Sequence, residues 1–114
     1  MLVNMNEVLA AVQTRGCCVG AFDTPNLEIL MAVIRAAEKR KEPVIIQHAQ
    51  LHEPEMALRV IGPIMVRMAK ESTVPVCVML DHGEDLDYVK KPWIWASQRS
   101  CMTAPPGRTR KMSA

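Results

Sequence analysis

No apolar stretch in this 114-residue chain approaches the roughly 20 residues needed to span a membrane, and no charged segment followed by an apolar one opens it. A soluble, cytoplasmic protein with no membrane partner is therefore expected. The glycine-rich motifs GxGxxG and GxxxxGKS/T are both missing, which removes the sequence-level case for a nucleotide-binding fold. The four cysteines, Cys17, Cys18, Cys77 and Cys101, show neither CxxC nor metal-ligand spacing. Cys17 and Cys18 are too close for an ordinary disulfide. They read as a small apolar strand residue beside a solvent-facing one, and the set as a whole suits a reducing compartment. Acidic residues are absent beyond Asp87. Up to that point twelve acidic and eight basic side chains give a net charge of −4, and six basic residues follow from Tyr88 onward. No aromatic-basic platform or docking motif accompanies this basic tail, so no nucleic-acid partner is expected.

What is present is an alternation of short apolar runs and helical periodicities. Asn4 is placed to cap a helix through Val8, Leu9, Val12 and Gln13 that Gly16 ends. The run Cys18 to Phe22 reads as a strand, and Asp23-Thr24-Pro25 supplies a cap residue with proline near the start of the next helix. From Asn26 to Arg40, Leu27, Leu30, Met31, Ile34 and Ala37 recur at helical spacing until Pro43 breaks the pattern. Val44 to Gln47 forms a second strand. Pro54 opens a helical region carrying Leu58, Ile61, Met65 and Met68, which Gly62-Pro63 should kink or split. Val76 to Leu80 is the third strand, and Asp85 to Lys90 begins another helix. The order is a helix followed by three βα repeats.

Alternation of helices with continuously apolar strands means a parallel sheet covered by crossover helices, either doubly wound or a (βα) barrel. Without a nucleotide motif the barrel is favoured. At 114 residues the chain is too short for a complete barrel of roughly 250 residues. The expected fold is therefore α/β: the N-terminal portion, about three βα units, of a TIM barrel. The third strand closes on Asp81-His82-Gly83. A carboxylate and an imidazole at the carboxyl end of a buried parallel strand stand where such folds build active sites. Read from the residues alone, a lone histidine is more often a hydrogen-bonded structural residue than a metal ligand. An aspartate there also serves as a loop or capping carboxylate.

Four segments together resemble the class II, zinc-dependent fructose-bisphosphate aldolase family and its tagatose- and other ketose-bisphosphate relatives. They are Leu2-Val3-Asn4-Met5 with its helix, Val19-Gly20-Ala21-Phe22 with Pro25-Asn26-Leu27-Glu28, Pro43-Val44-Ile45-Ile46-Gln47, and Val74-Pro75-Val76 through Leu80-Asp81-His82-Gly83. The resemblance spans residues 1–91. It implies a homo-oligomeric barrel enzyme acting on a small sugar phosphate. In that family a zinc ion held by three histidines polarises dihydroxyacetone phosphate. His82 matches the first of those ligands, and Asp81 matches the carboxylate that moves the proton at the hydroxyl whose ionisation drives carbon-carbon cleavage.

Three positions depart from the family pattern. Met79 stands where relatives usually carry histidine, Asp23 where they often carry asparagine, and Ala49 near a usual serine. Asp23 and His48 are the candidates for contacting substrate. His48 and His52 follow the second strand at the active-site end, and an ordinary loop role is favoured for both.

The strongest departure is the tail, residues 92–114, which carries Trp93, Trp95, Pro105 and Pro106 and reads as a disordered or irregular segment outside the 1–91 domain. The genetic code suggests its origin. When one nucleotide is inserted before the Pro92 codon, the codons for Pro92 to Ala104 permit AMDLGFTTVMYDG in the other frame, close to the family's usual continuation. Aspartate at the Trp93-Ile94 junction, glycine at Trp95-Ala96 and aspartate at Met102-Thr103 are forced. Residues 92–114 are thus expected to be an out-of-frame product of a one-base deletion or a sequencing error, with the remaining zinc ligands and the phosphate site beyond residue 91. On this reading the chain is inactive alone, since one imidazole does not hold a three-ligand catalytic zinc. The competing expectation is a non-catalytic α/β module whose basic tail meets an acidic partner.

Overall fold

The structure is a computed structural model and describes residues 1–81 and Asp87. Its elements run α1 (Met5–Gln13), β1 (Gly20–Asp23), α2 (Leu27–Arg40), β2 (Val44–Ala49), a 3-10 turn (Gln50–His52), α3 (Leu58–Glu71) and β3 (Val76–Asp81). The tail 92–114, with its expected boundary, lies outside the described residues, as do Gly83 and the expected fourth helix except for Asp87, which is helical and exposed.

Local chemistry sets the helix ends. Asn4 and Glu7 form a reciprocal capping box, in which each side chain accepts from the other's backbone N–H, so two of the orphan donors of α1 are satisfied. Gly16, at φ +63°, ends the segment in the left-handed region that glycine enters without steric cost. The cap of α2 is Asn26 rather than Asp23 or Thr24. Its side chain accepts from the Ile29 N–H at 2.9 Å, and Pro25 lies just ahead of the helix. Lys41 closes α2 in the left-handed conformation two residues before Pro43.

The third helix departs most from expectation. Pro54 sits in a turn, the helix starts at Leu58, and Gly62-Pro63 neither splits nor interrupts it. Pro63 is exposed, as is Arg59 one turn earlier. The carbonyl that proline leaves without a donor therefore lies on the solvent side, where water can satisfy it. Ala57 has no capping side chain. Glu53 substitutes for it by accepting the Leu58 N–H at 3.0 Å.

The three strands are parallel in the order β1-β2-β3, with Asp23 opposite Gln47, Gln47 opposite Met79, and Ala49 opposite Asp81. Strand alternation separates two faces. Val44, Ile46, Val76 and Val78 join Leu30 and Ile34 of α2 and Ile61, Met65 and Ala69 of α3 in one buried cluster. Ile45 and Cys77 point the other way, against Val3 and Val8, with Met79 packed beside them. Both crossover helices thus cover one face while the strands progress in sequence order. That is the arrangement of a barrel wall; a doubly wound sheet places helices on both faces. The N-terminus ties down the other end. The Met1 amine donates to the carbonyls of Ser72 and Val74, and the Val3 and Val76 N–H groups donate to Val76 and Met1 carbonyls. Residues 1–3 therefore sit at the amino ends of the strands, opposite Asp81.

Candidate functional site

The carboxyl ends of the three strands assemble the candidate site. Asp81 is the last residue of β3 and is half-buried, Asp23 is the last of β1 and exposed, and Gln47 lies two residues before the end of β2. Register and alternation put Asp23, Gln47, Met79, Ala49 and Asp81 on the face turned away from α2 and α3. On this face the Gln47 side-chain Nε2 donates to Asp81 Oδ2 at 3.1 Å. The strand ends are tied as well: the Thr24 N–H donates to the Gln47 carbonyl at 2.9 Å, and its hydroxyl lies 3.4 Å from the same oxygen. Thr24 is fully buried, so β1 stays registered against β2 one residue past its assigned end.

His48 belongs elsewhere. The second strand runs two residues further than expected, so His48 is inside β2, opposite Leu80, on the face that meets the helices. It is 1 % exposed, and neither ring nitrogen has a hydrogen-bond partner among the described residues. Burial holds its pKa below the ordinary histidine value. A His52 cation would add to that shift, while the Glu53 and Asp23 carboxylates oppose it. The His52 ring lies 6.2 Å away, centroid to centroid, in the turn after β2. The structure thus brings Asp23 and Asp81 to one face and leaves His48 on the other. His82, the expected metal ligand, lies outside the described residues.

Sequence reading passed over Gln47, whose side chain donates to Asp81. The run Val44-Ile45-Ile46 does not alternate, so the register against β3 is what puts Gln47 on the face of Asp81. No group of three or more histidine, cysteine, aspartate or glutamate side chains able to hold a metal occurs among the described residues. A well-formed concavity among the described residues does not include Asp81. A groove of about 580 Å³ lies at the amino ends of β1 and β2, lined by Val12, Cys18, Phe22, Val33, Ala36 and Val44. It borders the edge strand and contains none of Asp23, Gln47 or Asp81. The groove lies beside the uncovered edge of β1, and Arg15, Arg40 and Glu42 also line it.

Comparison with known proteins gives a consistent result. The family model described as fructose-bisphosphate aldolase class-II matches residues 3–103. A fructose-bisphosphate aldolase of Thermus caldophilus is 41% identical over 93 residues, which cover 80% of this chain and 30% of that protein. A probable fructose-bisphosphate aldolase of Bacillus subtilis is 38% identical over 98 residues, covering 79% of this chain and 33% of its own length. Among solved structures, the YdjI aldolase of Escherichia coli K12 superposes with a TM-score of 0.77 at 31% identity, over 82% of this chain and 37% of that one. The chain spans about a third of the length of these relatives.

Proposed function

We propose, from the premise that this chain belongs to the class II fructose-bisphosphate aldolase family, that it carries the opening part of a site for reversible aldol cleavage of a ketose bisphosphate. Asp81 is the group that accepts and returns the proton of the substrate hydroxyl next to the bond that breaks. When that hydroxyl is ionised its electron pair forms the aldehyde carbonyl, the carbon-carbon bond opens, and the pair from the bond passes to the ketone fragment as an enediolate. The observation that carries this reading is the position of Asp81 at the carboxyl end of a parallel strand, on the face away from the helices, with its carboxylate held by Gln47.

His82, next in the chain, would be one ligand of a zinc ion that polarises the ketone in the intact site. A single imidazole does not make a three-ligand zinc site, and the described residues supply no cluster to complete one. Asp23, exposed at the end of β1 on the same face, is the residue of the described set best placed to meet the substrate beside Asp81.

The companion proposal is that residues 92–114 are read out of frame and that the 114-residue chain is inactive alone. The family match runs on to residue 103, into this segment, so the nucleotide sequence around codon 91 is the deciding observation. The functional test is an aldol-cleavage assay with zinc and fructose 1,6-bisphosphate on the chain as it stands and on a frame-restored version. Cleavage by the restored chain only is the expected result. Cleavage by neither overturns the assignment, and cleavage by the short chain overturns its inactivity.

A further inference from the structure

We infer that Gln47 is a positioning residue for Asp81: it fixes the carboxylate in the orientation from which the proton is moved. This rests on the proposed role of Asp81. An ionised carboxylate only accepts hydrogen bonds, so the Gln47 amide must turn its NH2 toward Asp81, and the reverse orientation would set two acceptors against each other. That orientation leaves the other end of the amide, Oε1, buried and without a partner among the described residues. A buried unpaired acceptor costs stability. The cross-strand neighbour on the same row, Met79, shows that an unbranched apolar chain of similar size fits this face. A residue that is worse for stability than a methionine, and whose N–H is aimed at the site carboxylate, is explained by what it does to that carboxylate. The geometry agrees, since Gln47 and Asp81 are two register positions apart on one face of adjacent parallel strands, within reach of a glutamine side chain.

The deciding measurement uses the full chain, isotopically labelled, and NMR of the parent and variants at one pH. The two Gln47 side-chain NH2 signals are expected to be distinct and shifted by the bond to Asp81, and this signature is expected to vanish in Asp81→Ala. In Gln47→Met, the Asp81 side-chain couplings are expected to report a changed rotamer distribution while the melting temperature does not fall. Gln47 NH2 signals unchanged in Asp81→Ala, or an Asp81 rotamer distribution unchanged in Gln47→Met, overturns the inference whether or not any aldolase activity exists. Catalysis gives an independent arm in the frame-restored enzyme. Gln47→Met should lower kcat on the order of 100-fold with KM within about twofold. Gln47→Glu should recover activity on the acid side only, because a glutamic acid can donate to Asp81 when protonated and not when ionised. An unshifted pH profile in Gln47→Glu overturns the positioning role. A restored enzyme with no cleavage at all refutes the aldolase reading and leaves the NMR result to decide the role of Gln47.

Discussion

Replacing His48 by leucine should make this protein more stable, and the gain should grow as the pH falls. The imidazole is 1 % exposed at the helix-facing end of β2, opposite Leu80, and both its nitrogens lack partners among the described residues. A neutral imidazole carries one donor and one acceptor, and each buried unpaired group costs about 1–3 kcal/mol. Repacking around a leucine of similar volume returns up to about 1.5 kcal/mol of that. The net expectation is a stabilisation of about 0.5–6 kcal/mol at pH 7.5, at roughly 4–8 °C in melting temperature per kcal/mol for a domain of this size. The pH dependence follows from the direction of the shift. The folded pKa of His48 lies below its ordinary value of about 6.5, so the unfolded chain takes up the proton first. The His48 contribution is intact above the unfolded pKa and is lost as pH falls from there toward the folded pKa. Urea unfolding followed by circular dichroism at pH 7.5 and pH 5.5 measures both effects. The difference between parent and variant isolates His48. A His48→Leu protein that is less stable at pH 7.5, or that loses as much stability on acidification as the parent, would refute the argument.

Three further outcomes are expected. Asn4→Ala removes the capping box of α1 and should cost about 1 kcal/mol, read as a lower urea midpoint at unchanged slope. Leu30→Ala empties a fully buried position between α2 and the sheet; a loss of about 2–5 kcal/mol should leave little cooperative unfolding in so small a core, whereas an unaltered transition would mean that the two layers are not packed as described. In the frame-restored enzyme, Asp81→Asn should lower kcat by roughly 10²–10⁴-fold with the far-ultraviolet spectrum unchanged, and near-normal turnover would remove Asp81 from the proton transfer.

Much of this architecture was legible in the sequence because its signals are local. The capping function of Asn4, the end of α1 at Gly16, the apolar stripe of α2 and the continuous apolar strands all follow from spacing within a few residues. The misreadings arose where local signals competed with tertiary context. Asp23 and Thr24 looked like caps for α2, yet both are committed to the sheet, Asp23 as the end of β1 and Thr24 through its bonds to the Gln47 carbonyl, so Asn26 caps the helix. Gly62-Pro63 looked like a break, but it lies where solvent accepts the orphan carbonyl while Ile61, Met65 and Ala69 hold the other face of α3 on the sheet.

The candidate site shows the same limit at the scale of one residue. Gln47 and His48 are adjacent, and a sequence reader gives the imidazole more chemical weight. The parity of β2 reverses that ranking. Ile45 faces the interior with Cys77, so Gln47 does too and reaches Asp81, while Ile46 faces the helices and carries His48 with it. Parity was uncertain from the sequence because both faces of β2 are apolar, as expected for a strand covered on both sides, and the run Val44-Ile45-Ile46 does not alternate. Register against β3 supplies the missing information, since Ala49 stands opposite Asp81 and fixes which side of the strand belongs to the strand-end carboxylates. In a buried parallel sheet, a polar residue near a strand's end is therefore assigned to the site or to the helix layer by the neighbouring strand, and the identity of its own side chain does not decide it.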